Sequence, residues 1–358
     1  MASTWGSSIK LSIFGGSHTD AIGVVLDNLP PNEKIDLDAV RVQMARRAPG
    51  KDKTTTTRAE ADEPQILSGL LNGVTTGAPL AVIIQNTNVR SKDYSLFKSH
   101  PRPGHADYTA SVRYSGANDI RGGGHFSGRL TACLVFAGAV CRQILERRGV
   151  VIGAHALQIG AEKDESFDPV HISAEELSAL NTRFFSVTKP EAEAAMREEI
   201  EKARLDADSI GGVIECAAVG VPVGVGSPMF GGVENVLASI LYGIPAVKGV
   251  EFGSGFGAAG LRGSENNDAF YFGEDGRVYT ETNNAGGILG GISTGMHIVF
   301  RVAVKPTPSI GKTQKTVDLE EKENDILEIT GRHDPCIVPR AIPVVEAAAA
   351  IALLDLMM

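Results

Sequence analysis

Apolar residues in this chain fall in short runs broken by glycine, with two longer stretches near the middle and the C-terminal end. Residues 9–14 and 23–29 read as strands flanking a glycine-rich loop, Gly15-Gly16-Ser17-His18. Residues 36–47 read as a helix capped by Asp36 or Asp38. Strand-like runs follow at 66–71 and 79–85, with turn signals at Asn72-Gly73 and Gly77-Ala78-Pro79. The clearest helix covers 127–148. Ser127 suits its N-cap, Gly149 its exit, and Arg147 and Arg148 the negative end of its dipole. Leu130, Leu134, Ala137, Cys141, Ile144 and Leu145 form its apolar stripe. A charged helix at 190–206 opens on Pro190 and is expected to face solvent. Short strands are expected at 211–219, 221–225, 246–252 and 296–304. The run 342–358, interrupted by Pro343, Glu346 and Asp355, reads as a buried helix, too short and polar for a bilayer. Helices and strands mix without regular βα alternation, which predicts one α+β domain over 1–358. The fragments 209–215 and 285–293 are weakly alike, and an internal duplication stays open.

Composition narrows this picture modestly. The 358 residues are 43% hydrophobic and 22% charged, ordinary for a soluble globular protein. A net charge of −9 argues against nucleic acid as the main partner. Residues 1–10 show no charged leader before an apolar stretch, so no signal peptide is expected. The four cysteines form no CxxC pair. Cys133 and Cys141 lie eight residues apart on the long helix, beyond disulfide reach. Reduced thiols in a cytoplasmic protein are the simple reading.

The chemistry concentrates in six segments. Arg332-His333-Asp334-Pro335-Cys336 puts a cation, an imidazole and a carboxylate beside a hydrophobic run, where unpaired charge is costly. His18 in its Gly-Gly-Ser loop suits proton donation to an anionic leaving group, although a surface turn is the plainer reading of that stretch alone. Residues 41–58 hold six basic residues and one acid, suited to a phosphate or polycarboxylate; an RNA-contacting patch and a solvated loop are the alternatives. Arg102-Pro103-Gly104-His105-Ala106-Asp107 is the fourth. Arg121-Gly122-Gly123-Gly124-His125-Phe126-Ser127-Gly128-Arg129 leads into the long helix, where backbone N–H groups and the dipole favour an anion. Lys305-Pro306-Thr307-Pro308-Ser309 is a rigid polar loop. Gly255 to Gly260 matches GxGxxG, but a dinucleotide fingerprint must open a helix and the residues after it lack helical periodicity. No pattern of metal ligands, Walker loop or nucleophile elbow is present, so no metal site is expected.

In this order and spacing these segments resemble the chorismate synthase family, from about residue 6 to 357. The most specific stretch is 332–348, supported by 66–79, 86–95, 102–108, 285–295 and 305–310. The resemblance implies a β-α-β sandwich with helices between antiparallel sheets. It implies a lyase of the shikimate pathway, the route to aromatic amino acids. Such an enzyme converts 5-enolpyruvylshikimate 3-phosphate to chorismate and phosphate by 1,4-anti elimination, using reduced FMN that lends an electron and takes it back. By the family's pattern His18 protonates the departing phosphate. His105 stabilises the anionic flavin near N1, and Asp334 assists removal of the C6 hydrogen through flavin N5. Arg47, Lys53 and Arg129 match substrate- or nucleotide-binding positions. Ser127, Ala246, Gly290, Lys305, Pro306, Thr307, Pro308, Ser309 and Arg332 match flavin-contacting ones. A homotetramer and a cytoplasmic location are implied. NADPH is a possible source of electrons, but no added reductase domain is recognisable, so an external flavin reductase is expected.

The chain departs from the family's pattern at several points. Gly16 stands for a glutamate and Thr19 for a glycine. His125 replaces an arginine, Phe126 a serine and Leu130 a glutamate. Pro245 replaces an asparagine, and Lys53 an arginine, losing bidentate geometry. Altered affinities, not a different reaction, are the expectation. Two competitors are an oxidoreductase on the same scaffold, which would consume reductant stoichiometrically, and an RNA-binding protein using residues 41–58, with steeply salt-dependent affinity.

Overall fold

A computed structural model describes residues 3–50, 62–87, 96–329 and 334–358. Lys53 and Arg332 lie outside the described residues.

Two five-stranded antiparallel sheets enclose a layer of helices. The first contains β1 (Thr4–Trp5), β2 (Lys10–Gly15), β3 (Ala21–Asp27), β4 (Pro64–Ser68) and β5 (Leu80–Gln85), in the order β1-β2-β3-β5-β4. The second contains β6 (Val151–Ile159), β7 (Glu162–Lys163), β8 (Gly212–Val219), β9 (Val247–Phe252) and β10 (Ile298–Val304), in the order β9-β10-β8-β6-β7. The principal helices are α1 (Leu37–Arg47), α2 (Asp107–Arg113), α3 (Thr131–Arg147), α4 (Ala174–Leu180), α5 (Pro190–Leu205), α6 (Val233–Leu241) and α7 (Val338–Leu356). The α+β sandwich expected from the sequence is therefore the fold.

The centre is the crossing of α3 on α7, with α3 reaching β3 and α7 reaching β6 and β8. Close approach depends on Gly138: a Cβ there would lie 2.3 Å from Ala347 Cα and Cβ. Apolar residues surround both helices, so little of either meets water. Helix α3 is apolar enough to cross a membrane by composition, yet 89% of its apolar window is buried in protein. It is a core helix. Pro343 sits inside α7, where the missing N–H costs a helical bond.

Charges are buried in this layer, and one carboxylate organises them. Glu346 of α7 accepts from Arg46 of α1 at 2.5 and 3.1 Å, from Arg142 of α3 at 3.2 Å and from the amide of Ala154 in β6 at 3.2 Å. At the far end of α7, Asp355 accepts from the amides of Ser7, Ser8 and Ile9, tying the N-terminal segment to the last helix.

Several expectations hold and others need correction. Asp36 is the cap of α1, accepting from Asp38 and Ala39. Ser127 caps a short 3-10 turn, Gly128–Leu130, that feeds α3. Residues 221–225 form no strand; they run as a turn beside the Ile288–Ser293 hairpin. Helix α5 is not wholly solvent-facing, because Ala192, Met196 and Ile200 are buried. The alike fragments diverge: 212–215 enter β8, whereas 285–293 form a glycine-rich hairpin. Gly255–Gly260 is an exposed 3-10 stretch followed by a four-residue helical turn, not a dinucleotide motif. All four cysteines are free and buried, and burial pushes Cys133, Cys141 and Cys336 up to about 12.

A ladder of alternating charge crosses the second sheet. Glu251, Arg301, Glu215 and His155 are cross-strand neighbours on β9, β10, β8 and β6. Arg301 donates to Glu251 at 2.6 Å. His155 meets Glu215 at 3.1 Å through Nε2 and Asp164 at 2.9 Å through Nδ1. Burial alone would lower the pKa of His155, but its two carboxylate partners outweigh this and raise it. Protonated His155 therefore contributes stability that is full below pH ~6.5 and fades as pH rises through the raised folded value. In urea unfolding from pH 6 to 9, the advantage of the wild type over His155→Gln should shrink by at most about 1.4 kcal/mol per pH unit. A gap independent of pH would mean that the imidazole is neutral throughout.

Candidate active site

Gly15, at φ +90°, turns the chain out of β2 into the loop that carries His18. Thr19 closes this loop: its hydroxyl accepts from the Gly16 amide at 2.9 Å and lies 2.8 Å from the Ala21 carbonyl. His18 is 4% exposed, and its Nδ1 lies 3.1 Å from Ser17 Oγ, which is 3.2 Å from the Arg121 carbonyl. The Ser17 amide donates to Gly124 O at 3.1 Å.

Two histidines meet on one glycine turn. Gly122, Gly123 and Gly124 have φ of +62°, +96° and +53°, the left-handed region that favours glycine. A Cβ on Gly122 would come 2.1 Å from His18 Cε1, and one on Gly123 would come 3.2 Å from His105 Nε2. The turn must therefore be glycine for both imidazoles to approach. Its neighbour Ser127 accepts from the Arg129 amide at 3.2 Å.

His105 is held from behind. Its Nδ1 lies 2.6 Å from Asp107 Oδ1, and Arg102 grips the same carboxylate through Nε at 2.7 Å and Nη2 at 2.8 Å. Burial opposes ionisation of Asp107, but hydrogen bonds from Arg102 and His105 hold it well below the usual carboxylate range. With Asp107 accepting at Nδ1, the other ring nitrogen faces the glycine turn.

The loop 305–309 packs beside this group. Lys305 Nζ donates to Gly104 O at 3.1 Å, and Arg102 Nη1 lies 3.4 Å from Ser309 Oγ. A Cβ on Gly104 would be 3.5 Å from Pro308 Cβ. The Lys305 amide donates to Ala246 O at 2.9 Å, so Ala246, at φ +77°, belongs here too. Burial, with Lys248 nearby, lowers the pKa of the Lys305 ammonium. Among the described contacts, Gly290 is not joined to this loop; it is in the Ile288–Ser293 hairpin, which pairs with Gly226.

The arginines form the opposite wall. Asp62 accepts from Arg47 Nη1 at 2.7 Å and also pairs with Arg129. Arg129 Nε donates to Asn86 Oδ1 at 3.0 Å, and the Asn86 amide donates to Gly16 O and Thr19 O at 3.0 and 2.7 Å. Arg340 donates to the Arg47 carbonyl at 3.0 Å and pairs with Asp334. Burial, reinforced by Arg340 and Arg129 and opposed by Asp62, pushes Arg47 down to about 10. Pro335 O accepts from the Ile210 amide at 2.8 Å, and Ser209 Oγ donates to Thr307 O at 2.7 Å.

These contacts close a ring. It runs from His18 through the glycine turn to His105, Arg102 and the 305–309 loop. It returns through Ser209, Asp334, Arg340, Arg47, Asp62, Arg129 and Asn86. A ring with two imidazoles, two carboxylates and several guanidiniums can bind a multiply charged anion and move protons to or from it. Asp62, Asn86, Asp107 and Arg340 were not singled out by the sequence. Asn86, Asp107 and Arg340 lie inside recognised motifs, so their position was a signal; Asp62 carried no comparable one. His125 turns away: it bonds Gly15 O and Ser3 Oγ, both at 2.8 Å, bracing the His18 loop from outside. Phe126 is partly exposed and packs against Tyr114.

Arg102 and Asp107 are both about 6% exposed. Asp107→Asn leaves a buried guanidinium without its carboxylate, so urea unfolding at pH 7 should show a loss of about 3–5 kcal/mol. A loss under 1 kcal/mol would show that the pair is solvated.

With this geometry in view, comparison with known proteins is direct. The family model described as chorismate synthase matches residues 9–358. A chorismate synthase of Thermococcus kodakarensis is 47% identical over 350 residues, 98% of this chain and 96% of that protein. One of Korarchaeum cryptofilum is 45% identical over 354 residues, 98% of this chain and 96% of its own length. A crystal structure of chorismate synthase aligns with a TM-score of 0.76 at 27% identity, covering 99% of this chain and 92% of that one. The chain belongs to the chorismate synthase family.

Proposed function

We propose that this protein converts 5-enolpyruvylshikimate 3-phosphate to chorismate and phosphate by 1,4-anti elimination, with reduced FMN as cofactor. The observation that carries the reading is the closed ring, in which His18, His105, Asp334, Arg47 and Arg129 are linked through the glycine turn, Asp62, Asn86 and Arg340. The substrate carries one phosphate and two carboxylates. Arg47, Arg129 and Arg340 supply the matching cations, with Lys53 and Arg332 as further candidates. Asp62 and Asp334 hold these guanidiniums in place before substrate arrives, which reduces the ordering that binding requires.

His18 donates a proton to the departing phosphate oxygen. Ser17 beside Nδ1 fixes the orientation of its ring. Asp334 assists loss of the C6 hydrogen, and Arg340 orients its carboxylate. His105, steadied by Asp107 at Nδ1, presents Nε2 toward the cofactor. Low exposure of His18, Arg47 and Arg129 keeps water from the reacting groups.

The residues fit the cofactor on an observation of their own. Thr307 Oγ1 is buried with no hydrogen-bond partner, beside the Lys305 loop. A hydroxyl left so is costly and suits an oxygen-rich ligand. Ser127, Ala246, Gly290, Lys305 to Ser309 and Arg332 would hold FMN. When bound and reduced, FMN supplies transient electron density to the allylic system. Its electrons come from NADPH through an external flavin reductase.

The protein is a cytoplasmic homotetramer in this reading. Phe230, Phe256 and Phe272 are each at least 78% exposed, apolar surface that subunits would cover.

The deciding experiment incubates the protein anaerobically with 5-enolpyruvylshikimate 3-phosphate, FMN and dithionite. Chorismate and phosphate should form in equal amounts, and oxidised FMN should give neither. Substrate left untouched with FMN bound sinks the reading. Gly122→Ala should lower turnover at least ~100-fold by displacing His18, as loss of the acid itself would. Full turnover in that variant would show that His18 is not the acid.

A further inference from the structure

Between α1, α3 and α4, away from the ring, the surface opens into a cleft of about 140 Å³. Gln43, Arg142, Gln143, Glu146, Ser178 and Asn181 line it. A smaller void of about 10 Å³ behind it reaches Glu346.

Arg142 is the unusual member. It is 7% exposed, and one nitrogen makes all its bonds: Nη2 donates to Ile152 O at 3.0 Å, Asn181 Oδ1 at 3.3 Å and Glu346 Oε2 at 3.2 Å. Among the described residues Nε and Nη1 donate to nothing. Neither is among the buried polar atoms left without a partner, so both reach the solvent of the cleft, where a ligand or water can take them. The charge is also unequal. Arg46 and Arg142 share a single carboxylate, Glu346, which leaves one positive charge in excess. Glu146, one turn along α3, forms no ion pair with Arg142. Burial raises its pKa, while Arg142 and Arg147 oppose the rise.

We propose that this cleft binds a small oxyanion, of the phosphate or sulfate class, on the unused donors of Arg142. The anion balances the excess charge of the Arg46–Glu346–Arg142 group. Glu146 at the rim weakens binding by repulsion. The neighbouring polar amides of Gln43, Gln143 and Asn181 are committed to protein carbonyls, so Arg142 is the main anchor.

Selenate is the probe, because its anomalous scattering locates it. Crystals of the full chain soaked in selenate should show a peak beside Arg142 in the wild type. Glu146→Gln removes the rim charge and should fill the cleft at about one-third the concentration. Ser178→Asp, on the exposed face of α4 at the cleft, supplies a tethered carboxylate and should abolish the peak. Both changes are at the surface, so folding is preserved. The proposal is overturned if the wild-type and Glu146→Gln clefts stay empty while selenate occupies Arg47 or Arg129, which shows that the soak succeeded. It is equally overturned if Ser178→Asp binds selenate as the wild type does.

Discussion

The carboxylate of Glu346 is the contact on which the rest of this molecule depends. It gathers Arg46 from α1, Arg142 from α3 and a backbone amide from β6, so two helices and a sheet strand meet α7 on one group. Charges at such depth are tolerated because each is hydrogen-bonded, and removing one leaves the others costly. The consequence reaches the active site in a single residue step. Arg46 turns inward to Glu346, and Arg47, next on the last turn of α1, turns to Asp62 and the ring. Fixing one arginine fixes the direction of the other.

A second constraint is steric. Gly138 lets α3 lie against α7, and Gly122 and Gly123 let two imidazoles approach one turn. Both are demands for absent side chains. In the core the absence brings two helices together; at the site it brings two loops together from distant parts of the chain. The two histidines thus come to lie on loops backed by a rigid sandwich, which combines precise placement with access for ligand.

Much of the site was legible in the sequence. His18, His105, Arg47, Arg129 and the 305–309 loop were all singled out, and the structure joins them through contacts. Their motifs pair glycine or proline with charge, a signal that local sequence carries. The contacts of Asp62 and Asn86 were not legible, although Asn86 opens a recognised stretch, because they depend on partners elsewhere in the chain: Arg47 and Arg129 for the one, Gly16 and Arg129 for the other. His125 shows the opposite case. Its replacement of a family arginine looked like a change in ligand contacts, yet its ring braces Gly15 and Ser3.

By itself the sequence determined the long helix α3, the capped helix α1, most strands of the two sheets and the α+β class. Periodicity, caps and turn residues act over a few residues and can be read locally. Tertiary structure alone decided that 221–225 would not pair as a strand, that α5 would bury one face, and that α3 would be a core helix despite its membrane-like composition. It also decided which charges are neighbours. Those outcomes depend on what packs against each segment, and pairing partners such as Arg46 and Glu346 are 300 residues apart.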